Sequence, residues 1–298
     1  MTLTTQGRAQ EMPTHATSNN QATVGRTCGQ LVAGGALFCL FKHHLKLRLQ
    51  YRETFLFSLL LHPLVMLLIF EMFKGVYAKQ ELLLGYSQSQ MVWYFGSSQF
   101  FYYLVWNIVD KNIAQKVMFG GMDRELVRPY SLLSWELVQL LAHKLLALVF
   151  EFLPVFLAYW LILRPDFLSA AGLLQYLILT ALALLQFFLL GFLFGILAFL
   201  WQDVSAAQVL KFIIVNVFAG VALPIAFFPE GIQRVLYALP FQYLFHVPVQ
   251  HLLGRVDVTR WDRFAVTCLW HCAWLVLLLI STTAASRRTI RHFLSAGG

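Results

Sequence analysis

One short stretch of the sequence has the residue types of a metal site. Cys268, His271 and Cys272 lie within two helical turns, and thiol and imidazole groups are the ligands that Zn²⁺ prefers. The set offers only three ligands, lies in an apolar stretch and has no matching partner cluster elsewhere in the sequence. We therefore interpret these side chains as packing residues, and we predict no metal-binding, catalytic or cofactor-binding residue in this chain.

Glu151 is the ionisable residue placed most unusually, because it lies midway along an apolar segment beside Pro154. An ionisable side chain at membrane depth is costly and often functional. Three interpretations stay open: Glu151 lines a translocation path or takes part in a conformational change, it pairs with a polar neighbour on another span, or the span boundary is misplaced and Glu151 lies near the membrane interface. Glu71 and Asp110 fall at the ends of apolar segments, where an interfacial position is favoured over a functional one.

A third group of charges forms a compact segment between Gly120–Gly121 and Pro129. The glycine pair ends one helix, and the proline stops a short helix that follows, because the residue before a proline avoids the helical conformation. Ser134 then has the residue type and position of an N-cap for the next helix. Such a short charged helix could dock a soluble partner or could be a solvated loop; the residues concerned are Asp123, Arg124, Glu125 and Arg128.

The composition indicates a membrane protein. Of the 298 residues, 59% are hydrophobic and 12% are charged, whereas soluble domains have about a quarter of their residues charged. The net charge of +8 is better explained by cytoplasmic loops than by nucleic-acid binding. The four cysteines do not have the spacing of a disulfide framework.

The elements that must position these residues are six apolar segments, each long enough to cross a bilayer. Most of the 22 Lys and Arg residues fall on one side if both termini are cytoplasmic, which favours that orientation. The predicted fold is an all-α polytopic membrane protein with its N- and C-termini inside. The predicted spans are 54–73, 91–110, 145–163, 171–200, 208–228 and 264–285.

A helix lying in the membrane interface is predicted over 38–53. Phe38, Phe41, Leu45 and Leu49 recur at helical spacing, so the helix presents an apolar stripe to lipid while Lys42, Lys46 and Arg48 lie mostly off that stripe. We predict three regions: a polar, disordered tail over 1–37, a membrane domain over 38–290 and a cytoplasmic tail over 291–298.

The segment 220–254 is apolar but is interrupted by Pro224, Pro229, Pro240 and Pro248. Each proline removes a backbone donor and clashes with the preceding turn, so a continuous helix is disfavoured. Broken backbone at membrane depth persists only where protein or a water-filled cavity surrounds it. We predict an outer re-entrant hairpin that shapes or gates a translocation path; an ordinary loop with one interfacial helix is the alternative.

Three of these features together resemble the membrane subunit of a type-2 ATP-binding-cassette (ABC-2) exporter. They are the interface helix at 38–53, the short charged segment GGMDRELVRPYSLLSW at 120–135 and the proline-broken hairpin at 220–254. The resemblance covers about residues 38–290, and the longer polar N-terminal tail departs from it.

The resemblance implies a permease of the bacterial cytoplasmic (inner) membrane that carries an amphiphilic cargo such as a drug, lipid, peptide or polysaccharide. A separate cytoplasmic ATPase would hold ATP and Mg²⁺, and this chain has no G-x-x-x-x-G-K-[ST] phosphate-binding loop. A second copy of the chain, or a paralogous permease, would complete the path. The residues that would contact the ATPase are Asp123, Arg124, Glu125 and Arg128.

Three other classes of function make different demands on the sequence. An ion-coupled carrier is expected to cluster ionisable residues at the membrane midplane, where Glu151 is nearly alone. A membrane enzyme is expected to have a set of His, Asp or Glu residues at the interface, and the sequence offers no convincing one. A non-transporting membrane scaffold stays open, and a copurifying ATPase subunit would discriminate against it.

Overall fold

The computed structural model describes residues 35, 38–39, 41–43, 45–46, 52–122, 125, 131–201 and 205–295, with side chains left out at 52–60, 200–201 and from 290 onwards. Among these residues the regular structure is helical, and an isolated bridge between Leu83 and Tyr86 closes one tight turn. The predicted all-α class is therefore confirmed.

Seven helices make up the first two thirds of the described chain. They are α1 (Arg52–Tyr77), α2 (Gln88–Leu104), α3 (Val109–Met118), α4 (Leu132–Ala147), α5 (Leu153–Leu163), α6 (Ala170–Ile196) and α7 (Ala198–Trp201). A π-helical turn, Leu148–Phe152, joins α4 to α5, so these two elements form one long rod.

Four further helices complete the described chain, and two short 3₁₀ turns lie between them. They are α8 (Ser205–Ile213), which continues into a π-helical turn at Ile214–Phe218, α9 (Glu230–Ala238), α10 (His246–Leu252) and α11 (Trp261–Ser295). The 3₁₀ turns are Ile225–Phe227 and Pro240–Leu244.

Three spans are long and apolar enough to cross a membrane, within the part of the chain that the structure describes. They are Leu132–Leu163, Ala170–Ile196 and Trp261–Thr289, and the helix Ser205–Phe218 is apolar but shorter. Together these helices agree with a multi-pass membrane protein. The count of six spans and their orientation stay predictions.

Serine side chains fix the starts of three helices. The Ser87 hydroxyl accepts from the Gln90 amide while the Gln90 side chain accepts from the Ser87 amide, which forms a capping box at α2. Ser131 caps α4 by accepting from the Ser134 amide, and Ser169 caps α6 in the same way. The predicted N-cap at Ser134 is therefore wrong by three residues, because Ser131 already satisfies the first turn.

The predicted second span is also wrong at its end. A continuous helix was expected over 91–110, but α2 ends at Leu104 and α3 begins at Val109. We call the non-helical residues between them the 105–108 break. The helix that contains the predicted third span begins at Leu132 rather than at 145. The helix of the predicted fifth span ends at Phe218 rather than at 228.

Helix α6 lies at the centre of the fold and packs against α3, α10 and α11. Two hydrophobic clusters surround it. The larger is rich in aromatic side chains, including Trp93, Phe101 and Phe187, and continues into the 219–254 segment. The smaller contains Ile113, Leu140 and other mostly aliphatic residues near the ends of α3 and α4. We call the end of the molecule that holds the larger cluster the hairpin end, and the end that holds the smaller cluster the coupling end.

Residues 219–254 form the series of short helices predicted for the hairpin. Pro224 and Pro229 each lie immediately before a short helical segment, and Pro240 is the first residue of another. A proline is tolerated at these positions because the first helical amides have no intrahelical acceptor. The depth of this segment in the membrane stays a prediction, as does its gating role.

Candidate functional site

The 105–108 break leaves several backbone groups without helical partners. The amides of Val105 and Trp106 both bond to the Phe101 carbonyl, after which the helical pattern stops. The Asn107 side chain is 5% exposed and bonds locally, donating to the Val105 carbonyl at 3.3 Å. The carbonyls of Tyr103, Trp106 and Asn107 need donors from elsewhere, because buried backbone acceptors are costly to leave unpaired.

A lysine on α4 supplies two of those donors. Lys144 Nζ donates to the carbonyls of Tyr103 at 2.7 Å and Trp106 at 2.5 Å. The side chain is 6% exposed, although the sequence placed it at the end of a cytoplasmic loop. A cation at the C-terminus of α2 also complements the helix dipole. Lys144 therefore caps the broken helix from a neighbouring one.

A second buried lysine comes from α8. Lys211 donates to the Asn107 carbonyl at 3.1 Å and forms a hydrogen-bonded ion pair with Asp110. Lys211 and Asp110 are 2% and 1% exposed. The rings of Trp106 and Phe187 flank the Lys211 ammonium at 5.3 Å, within the range of cation–π attraction. The Asp110 carboxylate does not face solvent, because it is buried against this lysine at the start of α3, and its interfacial depth in the membrane stays a prediction.

Two glycines of α6 make room for this arrangement. A Cβ atom at Gly195 would lie 3.0 Å from the Asp110 Cα, and one at Gly191 would lie 3.1 Å from Asn107 Oδ1. The segment Gly191–Gly195 has the small-x-x-x-small spacing that lets membrane helices approach closely. The sequence of α6 thus permits α3 to pack directly on its backbone.

The coupling end contains a third lysine with two carboxylate partners. Lys116, near the end of α3, lies 2.6 Å from Glu136 Oε1 on α4 and 3.6 Å from Glu125 Oε1. Glu125 belongs to the charged segment predicted to contact an ATPase, and its side chain is 11% exposed. Lys116 therefore joins that segment to α3, on which it lies, and to α4. The other three residues predicted for this contact, Asp123, Arg124 and Arg128, lie outside the described residues.

A cavity of about 330 Å³ opens beside the break, between α4 and the segment 102–112. Its polar walls include Glu136, Asn107 and Lys144, and its apolar walls include Tyr102 and Trp106. Glu136 is 1% exposed, and its second carboxylate oxygen, Oε2, has no hydrogen-bond partner among the described residues. The cavity therefore has a wall of mixed polarity, in which the Glu136 carboxylate is buried.

Glu151 lies in the π-helical turn between α4 and α5 and is half-buried. Pro154 explains the turn, because it cannot donate to the carbonyl four residues earlier, and the Leu153 amide bonds instead to the Leu148 carbonyl. Glu151 interacts electrostatically with Lys144. Lys144 lies on the same long rod and not on another span, so each interpretation of Glu151 stays a prediction.

The interface-helix residues are only partly described. Lys42 and Lys46 are helical and exposed; of the predicted apolar stripe, Phe41 and Leu45 are half-buried and Phe38 is exposed. Phe41 lines an apolar cavity of about 430 Å³ together with α4 and α6 residues. Arg48 lies outside the described residues. The contact with lipid stays a prediction.

Neutral side chains stabilise the hairpin end. The Tyr94 hydroxyl donates to the Gly220 carbonyl at 2.5 Å, where Gly220 has a φ of +80° that other residues rarely adopt. The Gln90 amide donates to the Leu253 carbonyl at 3.2 Å, and the Gln186 amide donates to the Pro240 carbonyl at 2.9 Å. The hairpin is thus fixed to α2 and α6.

A comparison with protein families identifies the family of this chain. A family model described as "ABC-2 family transporter protein" matches residues 62–297, which include every helix from α2 to α11. The chain belongs to the ABC-2 transporter family. Within this ABC-2 permease, the match extends over the 105–108 break, the coupling end and the hairpin. No curated protein matches the chain.

Membership in the ABC-2 family agrees with separate membrane and ATPase subunits, which the sequence resemblance implied. An ABC-2 permease is a membrane subunit, and its family implies a partner ABC ATPase. Histidine and cysteine in α11 do not form a metal cluster with other ligands among the described residues. His271 packs against the Tyr243 ring with centroids 5.1 Å apart, whereas Cys272 is exposed, and the absence of a metal site stays a prediction.

Sequence reasoning missed Lys116, Glu136, Lys144 and Lys211. Lys144 and Lys211 lie at the ends of predicted spans, where a charge is ordinarily interpreted as interfacial, whereas Lys116 and Glu136 lie between the predicted second and third spans, where charges are expected to face water. The sequence does contain one indication of the break: Asn107 and Asp110 are polar residues near the end of an otherwise apolar predicted span. Their partners come from distant parts of the chain and could not be read from spacing.

Proposed function

We propose that this chain is the permease subunit of an ATP-driven exporter in the bacterial cytoplasmic membrane. It works with a separate cytoplasmic ATPase subunit and with a second permease, either a copy of itself or a paralogous chain. Its cargo is amphiphilic. Family membership supports the permease assignment, and the contacts at the coupling end support coupling to an ATPase.

The observation that carries the coupling proposal is the position of Lys116 between Glu125 and Glu136. A displacement of the charged segment acts on α3 through the Lys116–Glu125 contact and on α4 through Glu136. Lys116 donates a charge-assisted hydrogen bond to Glu136, which is stronger than a neutral one, and the same ammonium attracts Glu125, so the three elements are expected to move together.

The 105–108 break gives this motion a place to bend. Helix α3 is separated from α2 by non-helical backbone, so α3 can change its angle without unwinding a span. Lys144 and Lys211 fix the break from α4 and α8. Nucleotide-driven movement of the ATPase would bias the angle between two arrangements and so alternate the access of the path.

The surface composition fits an amphiphilic cargo and a membrane-embedded partner. Helices α1 and α11 expose large apolar side chains, such as Leu68 at 63% and Leu269 at 69%, which suit lipid or a second permease. In this proposal Glu151 and the hairpin prolines Pro224, Pro229 and Pro240 shape or gate the path between the two permeases.

Affinity purification in mild detergent tests the proposal directly. A stoichiometric ATPase subunit and ATP hydrolysis in the purified complex are expected. A chain that purifies alone, even after crosslinking in the membrane, would overturn the exporter proposal and favour a scaffold or an ion-coupled carrier.

The variant Lys116→Gln tests the coupling link. We expect the ATPase to copurify while cargo-stimulated hydrolysis falls by roughly tenfold, because a charge-assisted contact worth about 1.5–3 kcal/mol is lost. Lys74→Gln is the matched control, since Lys74 forms an exposed ion pair with Glu71 near the C-terminal end of α1. Unchanged stimulation in Lys116→Gln would refute this role of Lys116.

A further inference from the structure

The apolar cavity of about 430 Å³ that Phe41 lines is a cleft between α4 and α6, and its volume falls within the range of small-molecule sites, roughly 300–1,000 Å³. Helix α4 contributes side chains at positions i, i+3, i+4 and i+7, beginning at Leu141, and α6 contributes the same pattern, beginning at Leu177. Residues at this spacing lie on one face of a helix. We call this cavity the α4–α6 cleft.

The cleft is elongated along the helix axes. The lining positions advance seven residues on each helix, from 141 to 148 and from 177 to 184, which corresponds to about 10 Å. Both helices belong to spans that are long and apolar enough to cross a membrane, so the long axis of the cleft is expected to run across the bilayer. A lipid acyl chain has this direction in a bilayer.

The wall of the cleft is suited to an aliphatic chain. Leucine side chains make up most of it, and such a surface stabilises a hydrocarbon by removing apolar area from water. The Lys144 ammonium is already bonded to the carbonyls of Tyr103 and Trp106. Leu145 and Ala181 are exposed, so the cleft is open at the surface of the described chain. A chain can therefore enter it from the side.

The interface helix brings positive charge next to this cleft. Phe41 lines the cleft, and Lys42 directly follows Phe41, so the Lys42 ammonium is within reach of a headgroup attached to the bound chain. Lys42 and Lys46 are both exposed and are four residues apart, so they are neighbours on the helix surface and can contact one phosphate. These two lysines, together with Lys144 in the wall, disfavour a cationic occupant and favour an anionic one.

We propose that the α4–α6 cleft holds one acyl chain of an anionic phospholipid, whose phosphate lies between Lys42 and Lys46. The apolar stripe of the interface helix then packs on this bound lipid as well as on the protein. The binding requires neither ATP nor a partner subunit. A chain that lacks an ATPase partner would retain this site, so the failure of one proposal is distinguishable from the failure of the other.

The probe for the test is phosphatidylglycerol that carries a photoactivatable diazirine in one acyl chain. The full chain is reconstituted in phosphatidylcholine nanodiscs without ATP and irradiated, and crosslinked peptides are identified by mass spectrometry. We expect saturable labelling of residues 141–148 and 177–184. Unlabelled phosphatidylglycerol should displace the probe, whereas the same amount of added phosphatidylcholine should not.

Two results of this experiment would overturn the proposal. Equal displacement by phosphatidylcholine would show that the headgroup charge is not recognised. Labelling spread evenly over the exposed apolar side chains of α1 and α11, such as Leu68 and Leu269, would show ordinary contact with surrounding lipid instead of a site.

The double variant Lys42→Gln/Lys46→Gln tests the headgroup contact. We expect the apparent affinity for the probe to fall about fivefold for each lysine removed, because each loses its attraction to an anionic lipid. The matched control is Lys74→Gln/Lys79→Gln, which removes the same charge from exposed positions outside the interface helix. Equal losses in the two double variants would indicate a general effect of net charge and would refute the headgroup site.

The variant Ala181→Trp tests the acyl-chain contact. The indole ring would fill the cleft from an exposed position, so we expect folding to be preserved and labelling of residues 141–148 to be lost. Ala273→Trp makes the same change at an exposed position of α11 and should be labelled like the unmodified chain. Undiminished labelling in Ala181→Trp, with thermal unfolding equal to that of Ala273→Trp, would refute the cleft as the site.

Discussion

The backbone is interrupted in two regions of this permease, and the two interruptions are stabilised by different chemistry. At the 105–108 break, the carbonyls accept from the ammonium groups of Lys144 and Lys211. At the hairpin end, they accept from the neutral side chains of Tyr94, Gln90 and Gln186. Hydrogen bonds from charged donors contribute about 1.5–3 kcal/mol, and neutral ones about 0.5–1.5 kcal/mol.

The difference shows which end can respond to a charged partner. Each cation at the break has ionic or dipolar partners on another helix, so a shift of one helix changes the energy of its neighbours. The hairpin depends on close aromatic packing and amide bonds, such as the contact between the Tyr94 and Phe245 rings at 5.4 Å. Packing of this kind resists gradual deformation. The coupling end is therefore suited to transmit motion and the hairpin end to resist it.

The largest expected effect is at the Asp110–Lys211 pair. Asp110→Asn or Lys211→Met alone should lower the free energy of unfolding by about 3–5 kcal/mol, because each leaves its partner buried and uncompensated. The double variant should recover much of this loss, since no buried charge remains. Unfolding in detergent followed by intrinsic fluorescence would measure the cycle. Additive losses in the double variant would mean that the two side chains do not stabilise each other.

Lys144→Met should have the next largest effect. The substitution keeps the length of the side chain but removes both donors to the Tyr103 and Trp106 carbonyls, and a loss of about 2–3 kcal/mol is expected. Hydrogen exchange at residues 103–109 should increase in this variant while exchange near Gly220 stays unchanged. Increased exchange at both ends would contradict the separation of the two regions.

Glycine substitutions compare the packing of the two ends. Gly195→Ala should destabilise the permease by about 1–3 kcal/mol, since the new Cβ would meet the Asp110 Cα at 3.0 Å. Gly231→Ala in α9 is the matched control, because a Cβ there meets no atom within 4 Å. That control should be neutral or slightly stabilising, as alanine favours a helix. Equal midpoints of thermal unfolding for Gly195→Ala and Gly231→Ala would argue against close contact of α3 with α6.

Tyr94→Phe should have the smallest effect. It removes one neutral hydrogen bond to the Gly220 carbonyl and keeps the aromatic packing, so a loss of about 1 kcal/mol is expected. Thermal unfolding of the purified chain would measure it. A loss as large as that of Lys144→Met would show that the hairpin depends on polar contacts as strongly as the break does.

The sequence predicted the helical class, the positions of the apolar helices and the short-helix character of 220–254. These features follow from local composition and from prolines whose effect on a helix is local. The family resemblance is confirmed by the match over residues 62–297. Of the residues expected to couple to the ATPase, Glu125 is described and contacts Lys116.

The break and its lysines could not be predicted for a physical reason. Asp110 and Lys211 are separated by 101 positions, and their pairing depends on α6 passing close to α3 through Gly191 and Gly195. Charges at the ends of apolar segments satisfy the rule for interfacial residues equally well whether they face water or each other. Only the packing of three helices distinguishes the two cases.

The order of these partners along the chain has a consequence for membrane insertion. Asp110 and the carbonyls of residues 103–107 are synthesised before Lys144 and Lys211, which they stabilise. A lysine that enters a membrane alone carries an insertion cost, which reaches about 2.5–3.5 kcal/mol at the bilayer centre and is smaller near the ends of a span. Each cation thus emerges from the ribosome after its acceptor is available, so α4 and α8 are expected to insert by docking onto α2 and α3 rather than independently.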